Sequence, residues 1–471
     1  MISGLFGRIP TRYWGLASLV GLTVVYLALF RYDDYGIDEG AARALLLNWS
    51  IVDQIANPVS FLGAPDLRAL LFIPLDFHWA GDLIAAKVLT LFLMLGLALM
   101  LHHWAEKHLG PEVALIGTGL LMIAPVSVMQ VDAIGKGPYL LLAFYLGYWF
   151  ESRYRDCKHL IPSDFFMLLI AVALAVSLHP AGLALPAAIA WHGWKRPIGR
   201  EKWRNLLIGL SIVTILLPLI RWGWPELNWW ANPLPFLGTV VTGPQYGGTP
   251  DTWVFGLLIS ALLLVIFAFR SRKFTSDIFG LALALSVLLG WVAPDGGWVL
   301  LSLTLLLYFG ASLAIDLNRK IRWRHGLLGE RGMVVLLIIL TSTTFMLTNR
   351  HIRYIASHEL TSDTDAVIKR LAAEAADHNK PFLAASQWPG RTMLACKREV
   401  FPLPHAAKSP EALRNNIRGI THLVFDHKDP RNQALASQTA MLSDSLETLA
   451  LMSGGVILKA RNQQEKPSSN P

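Results

Sequence analysis

Arg31-Tyr-Asp-Asp-Tyr-Gly-Ile-Asp-Glu-Gly40 places four carboxylates, Asp33, Asp34, Asp38 and Glu39, within seven residues of a chain that is only 16% charged. The apolar run 14–30 stands directly before them, so the cluster falls where the polypeptide leaves a bilayer. After it, Ala41, Ala42, Leu45, Trp49 and Val52 recur at helical spacing. That spacing predicts a helix over 41–52 lying along the membrane surface, apolar side down, with the carboxylates held at the water–lipid boundary. Asp38 stands where a helix cap stands, and Glu39 can pair with Arg43 one turn on. A capping carboxylate can still do chemistry.

The rest of the chain agrees with a membrane setting. Hydrophobic residues make up 54% of 471 positions and mean hydropathy is +0.44, too apolar for a soluble globular chain. Apolar runs long enough to cross a bilayer recur through the first three-quarters, so the fold class is an α-helical polytopic membrane protein. The formal charge of +8 does not point to nucleic acid, because the basic residues fall in short clusters between apolar runs, as cytoplasmic loops do. Arg8 and Arg12 ahead of the first run mimic a signal peptide. Arg31-Tyr32-Asp33 follows it in place of a small-residue cleavage site, so the run reads as a retained first span.

Spans are predicted near 14–30, 83–101, 112–130 and 138–150. In the next apolar run, 165–191, His179-Pro-Ala-Gly182 breaks the helix into two half-spanning pieces with their tip on the external side. Further spans follow near 205–221, 253–269, 277–293, 298–315 and 333–348. The pattern gives about eleven crossings, with the N-terminus inside and the C-terminus outside, in the inner (plasma) membrane of the cell. The layout is a transmembrane region over 1–349, whose first external loop is 31–82, then a C-terminal extracytoplasmic domain over 350–461 and a disordered tail over 462–471. Helices at 363–378 and 432–452 and strands at 382–386, 421–426 and 455–460 suggest that this domain is small and α/β. Cys157 and Cys396 then lie on opposite sides and cannot pair with each other. Trp222-Gly-Trp-Pro-Glu-Leu-Asn-Trp-Trp230 reads as an interfacial aromatic belt, or as a platform for a sugar or isoprenoid chain.

The external faces hold a sparse polar set: Asp38, Glu39, Arg68, Asp76, His78, Asp132 and Lys136. Ionisable groups at a bilayer boundary are costly and mark candidate sites. The plainer readings are a solvated turn for Asp132 and Lys136, snorkelling or pairing with Asp66 for Arg68, and an interface residue beside Trp79 for His78. His102, His103 and His108 match no trusted metal-ligand spacing. Asn48-Trp-Ser50 fits a glycosylation acceptor.

These pieces resemble, in order and side, the GT-C superfamily of polyprenyl-phosphate-sugar-dependent membrane glycosyltransferases, in particular the aminoarabinose and protein mannosyl transferase branch. The residues that carry the resemblance are Gly36-Ile-Asp-Glu-Gly-Ala-Ala42, Asp66-Leu-Arg-Ala-Leu-Leu-Phe-Ile-Pro74 and Gln130-Val-Asp-Ala-Ile-Gly-Lys136. The half-helix pair around His179 and the C-terminal external domain are also similar. Two departures stand out: Ala69-Leu70-Leu71 follows Arg68 where the family has a Pro-Pro-Leu run, and the first loop has no Asp-x-Asp triplet.

The resemblance implies transfer of a sugar from a polyprenyl-phosphate donor to an extracytoplasmic lipid, glycan or protein acceptor, by a single inverting displacement. Asp38 would be the general base and Glu39 its support. Arg68 and Lys136 would meet the donor phosphate, and Asp132 and His78 other parts of the substrates. No cofactor is certain; a divalent metal is possible, with no ligands assigned. The partners are the lipid-linked sugar, the acceptor and the bilayer. Two other readings compete: a lipid or sugar transporter or flippase, which predicts two related halves, and a non-catalytic scaffold on the same fold.

Overall fold

The computed structural model describes residues 37, 39–52, 68–72, 82–158, 162–195, 199–220, 250–292, 294–325, 362–377, 381–404, 409–429 and 432–461, with single positions at 237, 343, 346 and 407. The expected spans at 14–30 and 333–348, the Trp-rich loop and the tail lie outside them, apart from Thr343 and Met346, both helical. The chain divides into two compact units. The larger takes 79–353; the other joins 34–62 and 68–78 to everything from 354 onward.

The first loop supplies two helices, α1 (Glu39–Val52) and α2 (Arg68–Phe72), both in the second unit. The first unit then runs through α3 (Asp82–His108), α4 (Pro111–Ile123), α5 (Pro125–Asp132), α6 (Lys136–Asp156), α7 (Ser163–Leu178), a 3₁₀ turn (Pro180–Leu183) and α8 (Ala184–Lys195). It continues with α9 (Arg200–Ile220), α10 (Pro250–Phe274), α11 (Ile278–Leu289) and α12 (Gly296–His325). Among the described residues, α3, α10 and α12 are long and apolar enough to cross a membrane, and α4 with α5 makes a fourth if the bent pair is one span. Outward-facing Leu207, Ile208, Ile212 and Ile215 on α9, and Leu257, Leu258, Leu264 and Phe269 on α10, are exposed apolar side chains suited to lipid.

Two breaks position the polar residues. The expected single span 112–130 is bent by 55° at Ala124, where α4 stops and α5 starts. Ala124 is extended (φ −64°, ψ 137°), the conformation that the following Pro125 imposes on its neighbour. The second break is the expected one: α7 ends at Leu178, His179 is extended, and Pro180–Leu183 forms a 3₁₀ turn before α8. α6 packs along α7, α8 against α11, and α12 against α4, so both breaks are buried within a helical bundle.

The second unit is completed by α13 (Ser362–Ala375), β1 (Ala384–Ser386), α14 (Pro389–Cys396), β2 (Val400–Pro402), α15 (Pro410–Asn416), β3 (His422–Phe425), α16 (Gln433–Met441), β4 (Leu446–Met452) and β5 (Gly455–Ala460). The sheet order is β2-β1-β3-β5-β4; β1 is parallel to both neighbours, and β5 is antiparallel to β3 and β4. Leu413, Leu423, Phe425, Leu435, Leu446 and Leu458 form its core.

Two sequence expectations are corrected here. Residues 432–452 are not one helix: α16 ends at Met441 and Leu446–Met452 is a strand. Its helix-compatible residues are recruited by hairpin pairing with β5 across the turn at Gly454, and tertiary pairing overrides local propensity. The apolar side of α1 does not lie on lipid. Ala41, Ala42, Ala44, Leu45 and Leu46 are buried, and α1 packs against α2 and α14. Asn48, the candidate glycosylation acceptor, is buried too, its amide directed at the Phe72 carbonyl.

Candidate functional site

In the first unit the sequence between Gln130 and Lys136 makes a tight connection from α5 to α6. Ile134 at its centre has φ +54°, a left-handed conformation rarely adopted by a β-branched residue, and its side chain is fully buried. The Gly135 N–H closes back on the Gln130 carbonyl at 2.7 Å, and the Gln130 side-chain oxygen accepts from the Gly137 N–H at 3.0 Å. The Gln130 amide is packed so closely that a Cβ at Gly135 would lie 2.2 Å from it and one at Gly296 2.5 Å from it. Glycine at these two places lets the α5–α6 connection and the start of α12 close on one side chain.

This wedge sets out charged groups on both sides of the turn. Asp132, the last residue of α5, has Oδ1 3.0 Å from Lys87 Nζ on α3; Lys87 is wholly buried and Asp132 is 17% exposed. One turn further along α3, Thr90 Oγ1 meets Tyr139 Oη of α6 at 2.7 Å. Lys136 opens α6, its Nζ 3.8 Å from Asp295 Oδ2. Asp295 in turn caps α12, accepting from the Trp298 N–H at 2.8 Å, and its Oδ1 is 3.5 Å from His179 Nε2. His179 Nδ1 accepts from the Ala181 N–H at 3.0 Å, which leaves the ring proton of the neutral imidazole on Nε2, towards Asp295. Burial pushes the Asp295 carboxyl up, but His179, the Lys136 ammonium and the Trp298 and Gly297 N–H groups outweigh it and hold it below the usual carboxylate value. The α5–α6 turn thus carries a Lys87–Asp132 pair at one end and a Lys136–Asp295–His179 group at the other.

In the second unit, Arg68 is the first residue of α2 and is fully buried. Arg43 of α1 has Nη2 3.4 Å from Glu399 Oε1 in the segment after α14. Burial raises the Glu399 carboxyl, and Arg43 offsets only part of that. Glu39 is the first residue of α1. Its side chain, and with it the expected pairing with Arg43, lies outside the described residues, as do Asp38 and His78.

Of the six residues given roles from the sequence, Asp132 is thus joined to Lys87, and Lys136 to Asp295 and through it to His179, pairings that the sequence does not display. Lys87 carried a usable signal, as the one charged residue within the expected span 83–101. His179 is legible in the sequence only as part of a helix break, and Asp295 falls between the expected spans 277–293 and 298–315. Among the described residues no three His, Cys, Asp or Glu side chains come together as a metal site. Of the two ammonium groups only that of Lys136 is partly exposed, so it is the one an anion could reach, while Asp132 and Asp295 keep exposed carboxylate edges able to accept from hydroxyls.

No sequence-family profile matches the chain, and no curated protein sequence does. Solved structures do. The archaeal oligosaccharyltransferase AglB from Archaeoglobus fulgidus, in complex with an inhibitory peptide and a dolichol-phosphate, is similar with a TM-score of 0.53 at 10% identity, over 97% of this chain and 75% of that one. The Archaeoglobus fulgidus oligosaccharyltransferase tethered to an acceptor peptide containing the NVT sequon gives 0.52 at 12% identity, over 93% and 72%. ArnT from Cupriavidus metallidurans bound to undecaprenyl phosphate gives 0.49 at 13% identity, over 96% and 99%. The chain shares the fold of these archaeal oligosaccharyltransferase structures.

Proposed function

We propose that this chain is an integral membrane glycosyltransferase that moves a sugar from a polyprenyl-phosphate donor to an extracytoplasmic acceptor. The observation that carries the reading is the fold likeness to an oligosaccharyltransferase holding a dolichol-phosphate, over nearly the whole chain. The paired Lys87–Asp132 and Lys136–Asp295 groups at its helix breaks are consistent with it. In this reading the acceptor oxygen attacks the anomeric carbon as the carbon–oxygen bond to phosphate breaks. The phosphate leaves with the electron pair, and Asp38 takes the acceptor proton. Glu39 supports Asp38. Arg68 and Lys136 meet the phosphate as its charge grows, while Asp132 and His78 contact other parts of the substrates. The reaction centre faces outward, with the N-terminus cytoplasmic and the C-terminal region extracytoplasmic.

The test uses sealed vesicles loaded with a panel of radiolabelled polyprenyl-phosphate sugars. Right-side-out vesicles are expected to release labelled polyprenyl phosphate with transfer of sugar to an impermeant external acceptor, and inverted vesicles are not. No consumption of any donor in either orientation would overturn the reading. Consumption only in inverted vesicles would reverse its sidedness.

A further inference from the structure

Ile37, two residues before α1, lies against α14 of the C-terminal domain. Gly390 is the second residue of α14, and a Cβ added there would lie 2.5 Å from the Ile37 carbonyl oxygen and 2.7 Å from Ile37 Cγ2. Ile37 is itself buried, and it is the residue before Asp38. Nothing with a Cβ fits at 390 unless the backbone beside Asp38 moves, since the obstructing atom is main chain and not a side-chain tip.

The position of Gly390 is fixed from behind by the sheet. The Gln387 N–H donates to the Val424 carbonyl at 2.9 Å, tying the end of β1 to β3. The Gln387 side chain accepts from the Asp426 N–H and donates to Asp429, at 2.8 and 2.9 Å. Ser386 Oγ accepts from the Trp388 N–H at 3.0 Å and meets Thr392 Oγ1 at 2.7 Å, bracing the turn into α14. One turn further along α1, the Arg43–Glu399 pair makes a second attachment, to the segment leaving α14. The segment from Ile37 into α1, whose first residue is Glu39, is thus held at two points by the C-terminal domain.

We infer that the C-terminal domain positions the general base: Gly390, by its close approach to Ile37, and the Arg43–Glu399 pair are positioning residues for the Asp38 turn. This rests on the assignment of Asp38 under the proposed function. None of the three touches a reacting atom. A small displacement of a reacting group lowers turnover steeply while leaving remote donor contacts in place.

The experiment measures kcat and donor KM for Gly390→Ala in the wild-type and Asp38→Asn backgrounds, with thermal unfolding of each purified full-length protein. Gly390→Ala is expected to lower kcat about 10- to 100-fold with donor KM within about twofold. In the Asp38→Asn background it should change residual transfer by less than about threefold, because the group it displaces is already gone. Equal losses in both backgrounds would assign Gly390 another role and overturn the proposal. An inactive Asp38→Asn beside a fully active Gly390→Ala would overturn this proposal alone. Wild-type turnover in Asp38→Asn would overturn the base assignment and this proposal with it. Should Gly390→Ala not fold, the charge exchange decides: Arg43→Glu and Glu399→Arg should each lower kcat, and the double variant should recover most of it. Without recovery the positioning role falls.

Discussion

Lys87 Nζ and Asp132 Oδ1 stand 3.0 Å apart, and the ammonium is fully buried while the carboxylate keeps an exposed edge. This asymmetry ranks the two substitutions. Asp132→Asn withdraws the charge that faces a buried ammonium, whereas Lys87→Met leaves a carboxylate that still reaches solvent. Loss of one partner from a buried pair costs about 3–5 kcal/mol, less where the survivor is hydrated. Asp132→Asn should therefore lower the unfolding temperature more than Lys87→Met, and the double variant should lose less than the sum of the two. An additive double variant would show that the two groups do not stabilise each other.

Asp295 predicts a pH dependence. Its carboxyl is held below the ordinary aspartate value in the folded chain by His179, Lys136 and two N–H groups acting against burial. Between the depressed value and the unfolded value near 3.9, the unfolded chain binds more protons than the folded one. The stabilisation is therefore present above that unfolded value and lost as pH falls through the folded one. Asp295→Asn removes this term, so its unfolding temperature should fall less steeply on acidification than that of wild type. Parallel curves would remove Asp295 from the acid response. The side chain is a third exposed, so solvent screens these interactions and the difference between the two slopes should be modest.

How much of this was written in the chain depends on the range of the interaction. Hydropathy located the described helices of the bundle, because each lipid-facing helix carries its own apolar run. The edges were less legible: α3 continues to His108 although the apolar run thins near 101, since a helix does not stop where its residues become polar. The bend at Ala124 has a local sign, the following proline, but the run around it stays apolar and so still reads as one span. β4 had only weak signs, as its strand character comes from pairing with β5. Site residues followed the same rule. Asp132 and Lys136 were visible as polar residues near span ends. Their partners, 45 residues away for Lys87 and far along the chain for Asp295 and His179, are joined only by packing. The Gly390–Ile37 approach could not be read locally at all, since it links the two ends of the sequence.

Arg68 is predicted to contact the donor phosphate. The structure places it fully buried at the head of α2, where substitution also disturbs packing, so the conservative change is the informative one. Arg68→Ala should lower kcat/KM for the lipid donor by about 2–3 kcal/mol equivalent, because a charge-assisted contact strengthens as phosphate leaves. Arg68→Lys keeps the charge without the two-pronged geometry and should recover only part. Wild-type kcat/KM in a folded Arg68→Ala protein would remove the assignment and leave Lys136 as the remaining phosphate contact.

Asp38 carries the proposed chemistry, and one substitution separates its two readings. In the sequence it directly precedes Glu39, the first residue of α1, where a cap is the plainer reading of a carboxylate. Glu39 is one residue on, about 100° around the helix, and cannot do the same job. Asparagine caps a helix about as well as aspartate and has nearly the same size, so Asp38→Asn should fold, unfold at a similar temperature and bind the lipid donor with near-normal affinity. What it loses is the capacity to take a proton. A general base contributes on the order of 10²–10⁴-fold, and sugar transfer should fall by that factor. If Asp38 were only a cap, transfer by Asp38→Asn would stay near wild type, because the capping oxygen is still there. Measuring transfer and donor binding on this variant therefore decides the matter. Full activity would leave Asp38 as a cap and move the search for the base to Asp132, whose carboxylate keeps an exposed edge beside Lys87.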